Sequence, residues 1–489
     1  MSTNSFFWHD YETSGTDPFR DRIWQFAGIR TGMNLDPVGD SVSIMCKPSH
    51  DNLPHPEACL VTGITPQQAE REGMNEAEFA AAVHEQLGQP GTCGVGYNSL
   101  RFDDNFTRNL LYRNFYDPYA REWQDGNSRW DIIDLARMCH ALRPADIEWP
   151  LRDDGAPSFR LEDLAAANKL DHRQAHDALS DVETTIALAR LLKTRQPKLW
   201  DWYLKLRNKR AAADLLDIPG RTPVLHVSAK YSASRGCTTL IAPLAQHPGR
   251  SGEIIVYDLS VDPTELLSLD ADAIADRVFT ARDDLPEGID RIALRTVRTN
   301  RSPALAPMSV LKGVDTSRIG LDVDTCLRHA ARLRAIPDLA GKVRQVYGAQ
   351  LGMGKAGDPE LAIYDGFLPN ADKPLLQQVR GTPPEKLADA AIAFRDPRYA
   401  TLLFRYRARN WPHTLDASEV RDWNDFARQR LSTRSEATSL SLADYFARLT
   451  ALRQERPGAD AGLLDQLQAW GMALADEFGI DPDKRIDTA

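Results

Sequence analysis

No run of about 18 consecutive apolar residues occurs in this 489-residue sequence, so nothing in it reads as a membrane-crossing helix. Cysteine is scarce: six residues, Cys46, Cys59, Cys93, Cys139, Cys237 and Cys326, stand far apart, and none forms a CxxC pair. That spacing excludes a zinc ribbon and a redox dithiol and predicts buried free thiols. Met1–Ser5 lacks the basic and apolar segments of a secretion leader, so a cytoplasmic protein is expected. Internal repeats and low-complexity tails are also missing. What is present is globular in kind: 42% hydrophobic and 26% charged residues, with 30 Gly and 30 Pro spread widely. The length calls for two or three domains. A net charge of −10 does not exclude a nucleic-acid ligand, because phosphate binding depends on local basic surface and bound metal.

The first part alternates strand and helix signals. Phe6–His9 is a short apolar strand ending in Asp10, followed by strands at 22–31, 41–46 and 92–97. Helical spacing covers 75–87, 104–115, 131–142, 161–168 and 175–193, which predicts a mixed sheet covered by helices. After Gln196-Pro197 and a helical stretch at 199–216, Pro219 and Pro223 open a β-rich region with strands at 224–228, 238–242, 253–259 and 292–297. Helix returns at 324–346. The glycine-rich run Leu351–Pro359 reads as a linker. Helices are then expected at 384–394, 399–409, 418–431, 441–455 and 461–478.

Chemistry concentrates in three short segments. In Asp10-Tyr11-Glu12, side chains two apart on a strand share a face, so both carboxylates can converge on one hard cation such as Mg²⁺ or Mn²⁺. Asp103-Asp104 lies between a strand and a helix, where helix capping is the plain alternative. His176-Asp177-Ala178-Leu179-Ser180-Asp181 opens the long helix, and there too Asp177 or Ser180 is a capping candidate. Together they form the ordered pattern Asp-x-Glu, Asp, His-x₄-Asp. That set resembles the DEDDh class of the proofreading-type exonuclease superfamily. In such a site Asp10, Glu12 and Asp181 hold two metal ions, Asp103 completes the site, and His176 acts as general base.

The resemblance to bacterial exonuclease I runs further. It is carried by Phe7–Thr13, Thr62–Pro66, Gly96–Asn98 with Arg101–Asp104, Tyr112–Tyr119, Asn127–Asp131 and Pro157–Leu161. It continues through Lys193–Pro197, Val224–Ser228 and Tyr406–Asn410. It implies an α/β multidomain protein: an RNase H-like DEDDh exonuclease domain at 1–196, an SH3-like β-barrel domain at 197–350 and a C-terminal all-helical domain at 358–489. It further implies a monomeric clamp around single-stranded DNA, a Mg²⁺-dependent 3′→5′ exonuclease serving repair and recombination. The partner implied is the C-terminal tail of single-stranded DNA-binding protein. Ser14 stands where the family commonly has Phe, and the stretch between Gln350 and Leu361 also departs from it.

The resemblance assigns DNA contacts to Arg108, Tyr119, Trp123, Arg137 and Arg160, with Glu12 also touching the substrate. For Tyr119 and Trp123, core packing is the competing expectation. Arg143, before Pro144, is a candidate for docking the partner's terminal carboxylate. Arg295, Arg298, Arg301, Lys312, Arg318 and Arg332 form a loosely basic stretch. Three rivals remain at this level. A DEDDh ribonuclease would normally be shorter and dimeric, a recruitment module would not need intact acids, and a proofreading subunit would carry only a short polymerase-binding tail.

Overall fold

The computed structural model describes residues 4–171, 177–348, 356–456, 458 and 460–481. By its internal contacts the chain divides into two units, Met1–Asn127 with Arg173–Glu183 and Lys355–Ala489, and Ser128–His172 with Thr184–Gly354.

In the first unit, β1 (Ser5–Thr13) is the central strand. It pairs antiparallel with β2 (Ile23–Gly32), which pairs with β3 (Val42–Met45), and runs parallel to β4 (Thr92–Gly96). β1 is longer than the apolar run Phe6–His9 suggested, so Asp10 and Glu12 lie inside a paired strand rather than past its end. Phe6, Phe7 and Trp8 are each at most 1% exposed, and Trp8 Nε1 donates to Thr31 Oγ1 at 2.9 Å. Phe7, Tyr11 and Phe26 pack on Phe79, Val83, Phe106 and Leu110 of helices Glu76–Leu87 and Asp103–Arg113. Two short helices, Pro56–Thr62 and Pro66–Glu72, escaped the sequence reading because each is only 7 residues long.

The C-terminal helices share this unit's cores. Trp24, Leu53 and Ile64 join Leu442, Tyr445, Leu467 and Leu474, while Tyr112 and Phe115 join Leu376, Tyr399 and Tyr406. Helices Arg398–Asn410, Ala417–Ser432, Leu442–Glu455 and Ala461–Phe478 lie close to their expected positions. The helix expected at 384–394 is instead a single 3₁₀ turn, Pro384–Lys386, and the helix Lys373–Gly381 was missed. Pro383 and Pro384 permit a turn there but contribute no amide donors to extend it.

A buried ionic network ties these parts together. Glu360, 1% exposed, meets Arg22, Arg405, Arg409 and Arg430, while Asp51, 0% exposed, accepts from Nε and Nη2 of Arg409 at 3.0 and 2.7 Å. Burial alone would raise both carboxyls, but Arg409 and Arg430 outweigh it and hold them well below the usual range.

In the second unit, β5 (Ser128–Asp131) leads into helix Ile132–Leu142. The strands β6 (Val224–Val227), β7 (Thr238–Gln246), β8 (Glu253–Asp258), β9 (Leu294–Arg298) and β10 (Ala304–Pro307) form an antiparallel sheet in the order β10-β6-β7-β8-β9. The helical stretch expected at 324–346 is two helices, Val323–Arg334 and Leu339–Gly348, parted at Pro337. All six cysteines are free and buried, as their spacing predicted.

Replacing Asp51 by Asn would leave Arg409 and Arg430 to share Glu360 alone, and breaking that buried pairing should cost about 3 kcal/mol in thermal or denaturant unfolding. Both anchoring carboxyls titrate lower in the folded chain than in the unfolded one. Their contribution is therefore complete above about pH 4–5 and is lost as pH falls below it, so wild type and Asp51→Asn should converge in stability toward acid.

Candidate active site

Asp10 and Glu12 project from one face of β1 while Phe7 and Tyr11 enter the core from the other. Asp181 comes from the first turn of helix Ala178–Arg195. Asp177 fixes that helix end: its Oδ2 accepts the Ser180 amide at 3.1 Å and its carbonyl accepts the Asp181 amide at 3.0 Å. The capping role read for Asp177 is therefore met. Its Oδ1 also accepts from the Gln25 side chain at 3.4 Å, opposite Glu12 in the β1–β2 register.

One ligand atom from each of Asp10, Glu12 and Asp181 lies within 4.8 Å of the others, the sole such group of metal-ligating side chains among the described residues. Burial, then the neighbouring Asp181 charge, raises the Asp10 carboxyl well above its ordinary value. Burial, then Asp10, Asp181 and Asp177, pushes Glu12 up to about 9. Like charges gathered at low exposure raise one another's pKa until a cation offsets them. The donors are carboxylate oxygens, which suit a hard divalent cation such as Mg²⁺ or Mn²⁺.

Asp103, 3% exposed, begins the helix Asp103–Arg113 and stands outside that three-residue cluster. Neither it nor Asp104 caps the helix, whose N-cap is Phe102; Asp104 is ion-paired with Arg121. Tyr11 and Thr107 share a hydrogen bond of 2.9 Å, and Thr107 donates to the Asp103 carbonyl. His176 lies outside the described residues. His9, adjacent to Asp10 in sequence, is no substitute base: it is 2% exposed, and burial followed by Arg121 brings it down to about 4.

The expected substrate contacts separate into engaged and open side chains. Arg108 is 6% exposed, and its Nε and Nη2 donate to the two Glu122 oxygens at 2.6 and 2.8 Å. Its guanidinium also lies 5.2 Å over the Tyr119 ring. Arg137, 8% exposed, pairs with Asp134 at 2.6 Å and lies over Phe159. Trp123 is 68% exposed and Arg160 is also exposed, so core packing does not explain Trp123. Arg143 donates to the Leu142 and Val310 carbonyls. Glu122, Tyr364 and Phe367 escaped the sequence reading. Glu122 is 14 residues from its partner, too far for any local pattern to pair them.

Family models match in three blocks: an exonuclease domain at 7–189, the exonuclease I SH3-like domain at 207–349 and the exonuclease I C-terminal domain at 357–474. Exodeoxyribonuclease I of Escherichia coli is 45% identical over 426 residues, 87% of this chain and 90% of that protein. Exonuclease I of Methylocaldum szegediense superposes with a TM-score of 0.92 at 48% identity, covering 96% of this chain and 99% of that one. E. coli exonuclease I in complex with a dA16 oligonucleotide gives 0.92 at 42%, with 96% and 100% covered. An ExoI/SSB-Ct complex gives 0.90 at 42%, with 98% and 100% covered. From strand β1 to the C-terminal helices the likeness is continuous, and the chain belongs to the exonuclease I family of nucleases.

Proposed function

We propose that the chain is a Mg²⁺-dependent 3′→5′ exonuclease that degrades single-stranded DNA to 5′-mononucleotides during DNA repair and recombination in the cytoplasm. The observation that carries this reading is the convergence of Asp10, Glu12 and Asp181 within a family whose solved member holds an oligonucleotide. The C-terminal peptide of single-stranded DNA-binding protein is its proposed recruiting partner, with Arg143 among the docking residues. Full-length likeness to exodeoxyribonucleases disfavours the ribonuclease alternative.

Asp10, Glu12 and Asp181 would hold two divalent ions, Mg²⁺ or Mn²⁺ in its place. When bound, these ions supply Lewis-acid activation of water and neutralise charge on the attacking and leaving oxygens. His176 takes the proton from the attacking water; an ordinary imidazole pKa of about 6.5 suits that task near neutrality. Asp103 completes the acidic set. Arg160 meets the backbone phosphate, and Tyr119 and Trp123 offer ring faces to bases, a sequence-tolerant mode of single-strand binding. Arg108, engaged by Glu122, holds Tyr119, and Arg137, engaged by Asp134, lies over Phe159 next to Arg160 in sequence; both arginines remain proposed substrate contacts.

A 5′-labelled single strand should yield a descending ladder with Mg²⁺ and none with EDTA, while duplex DNA and RNA of the same sequence persist. His176→Ala should lower the rate by about 10²–10⁴-fold and leave metal binding intact. Cleavage of RNA alone would transfer the assignment to a ribonuclease.

The acids' raised pKa values also fix the sign of a stability effect. Held above their unfolded values in part by the Asp181 charge, Asp10 and Glu12 cost stability once the pH exceeds the unfolded carboxyl range of about 4, so Asp181→Asn should unfold at a higher temperature than wild type in EDTA at neutral pH. Mg²⁺ should raise the wild-type unfolding temperature and leave that of Asp181→Asn nearly unchanged, as read by calorimetry.

A further inference from the structure

Asp103 is the first residue of the helix Asp103–Arg113, and that helix start has no side-chain cap, with Phe102 in the N-cap position. The first amides of a helix have no partner within it, so an uncapped first turn frays unless something outside it takes hold. This turn carries an acid of the proposed site, 3% exposed and outside the cluster of Asp10, Glu12 and Asp181. The adjacent Asp104 is committed to Arg121 in a buried ion pair. Asp103 therefore reaches the chemistry only from where its helix puts it.

Tyr11 supplies the hold. It stands between Asp10 and Glu12 on β1, and strand alternation sends its side chain to the opposite face, into the core. Its ring is fixed against Phe26 at a centroid distance of 5.3 Å and edge-on to His9 at 5.8 Å and 70°. The Tyr11 hydroxyl lies 2.9 Å from Thr107 Oγ1, and Thr107 Oγ1 donates to the Asp103 carbonyl at 2.9 Å. Because the one hydroxyl proton of Thr107 goes to that carbonyl, Tyr11 is the donor in the first bond. Tyr11 is 4% exposed and Thr107 0%, so water does not compete for either bond. A helical threonine can bond the carbonyl three or four residues back, and the Tyr11 donor holds this one on the fourth. Phe106 and Leu110 also pack the helix on β1, but apolar contact is non-directional and lets one element slide on another. A chain of hydrogen bonds is directional and fixes the register between strand and helix.

We propose that Tyr11 is a positioning residue. Through Thr107 it ties the strand that bears Asp10 and Glu12 to the helix turn that bears Asp103, and so sets the spacing of the acids for the second of two divalent ions. The inference rests on the two-ion exonuclease reading above and deepens it. The middle residue of Asp-Tyr-Glu thereby serves the site while facing away from it.

The test measures Mn²⁺ binding by electron paramagnetic resonance and Mg²⁺-dependent cleavage of a single strand, on the full chain, for Tyr11→Phe, Thr107→Val and the double variant. In each, the more weakly held ion should bind about 10–100-fold less tightly, while the tighter ion, at Asp10, Glu12 and Asp181, binds as in wild type. Half-maximal cleavage should need correspondingly more Mg²⁺, with KM for the strand unchanged. The double variant should lose no more than Tyr11→Phe alone, because both substitutions break one chain of bonds. Thr107→Ser, which keeps the hydroxyl, should retain the wild-type Mg²⁺ dependence. A merely structural role would lower the unfolding temperature in EDTA and leave ion binding alone. Wild-type ion binding in Tyr11→Phe, or losses that add in the double variant, would overturn the positioning role while the exonuclease reading stands. A wild-type chain without Mg²⁺-dependent cleavage would overturn both.

Discussion

Mutual repulsion among Asp10, Glu12 and Asp181 is the constraint around which the first unit is built. Three carboxylates of low exposure do not gather without a force holding them, and here strand and helix backbone bring them together. β1 carries two of them because its neighbours fix it on both edges, and Phe6, Phe7 and Trp8 anchor it in the core. The third arrives on a helix whose start is capped by Asp177. The fold thus maintains an electrostatic arrangement that is unfavourable alone and becomes favourable with a divalent cation.

Glu360 and Asp51 lie at the centre of a buried set of arginines that joins the nuclease strands to the C-terminal helices. Arg22 belongs to it, and its backbone pairs with Ser14, two residues beyond Glu12: the Ser14 amide donates to the Arg22 carbonyl and the Arg22 amide donates to Ser14 Oγ. Ser14 therefore contributes a side-chain hydrogen bond that a phenyl ring could not. The C-terminal helices share their cores with Trp24 of β2 and with Tyr112 of helix Asp103–Arg113, while β1 packs in a neighbouring core of the same unit.

Much of this was legible in the sequence because periodicity and spacing encode it locally. Asp10 and Glu12 share a strand face by parity alone, and Ala461–Phe478 begins and ends where its helical pattern does. The misses share a physical cause. The 7-residue helices before Gly63 and Gly73 are too short to show a period. Residues 384–394 are rich in helix formers, yet double proline and tertiary contacts leave only one turn. Glu122 was not seen as the partner of Arg108 because nothing local links residues 14 apart. Phe367 carried no signal, since an exposed phenylalanine differs from a buried one only in three dimensions. The His-x₄-Asp spacing is what singles out His176 as the proposed base, and His176 lies outside the described residues.

The central claim is that the three carboxylates exist to hold divalent ions for hydrolysis. It is tested most directly by counting Mn²⁺ bound per chain, by electron paramagnetic resonance, with a non-hydrolysable single strand in place. Two ions per chain, with occupancy lost in Asp10→Asn, is the predicted result. Full hydrolytic activity by a chain that binds no ion at these residues would contradict it.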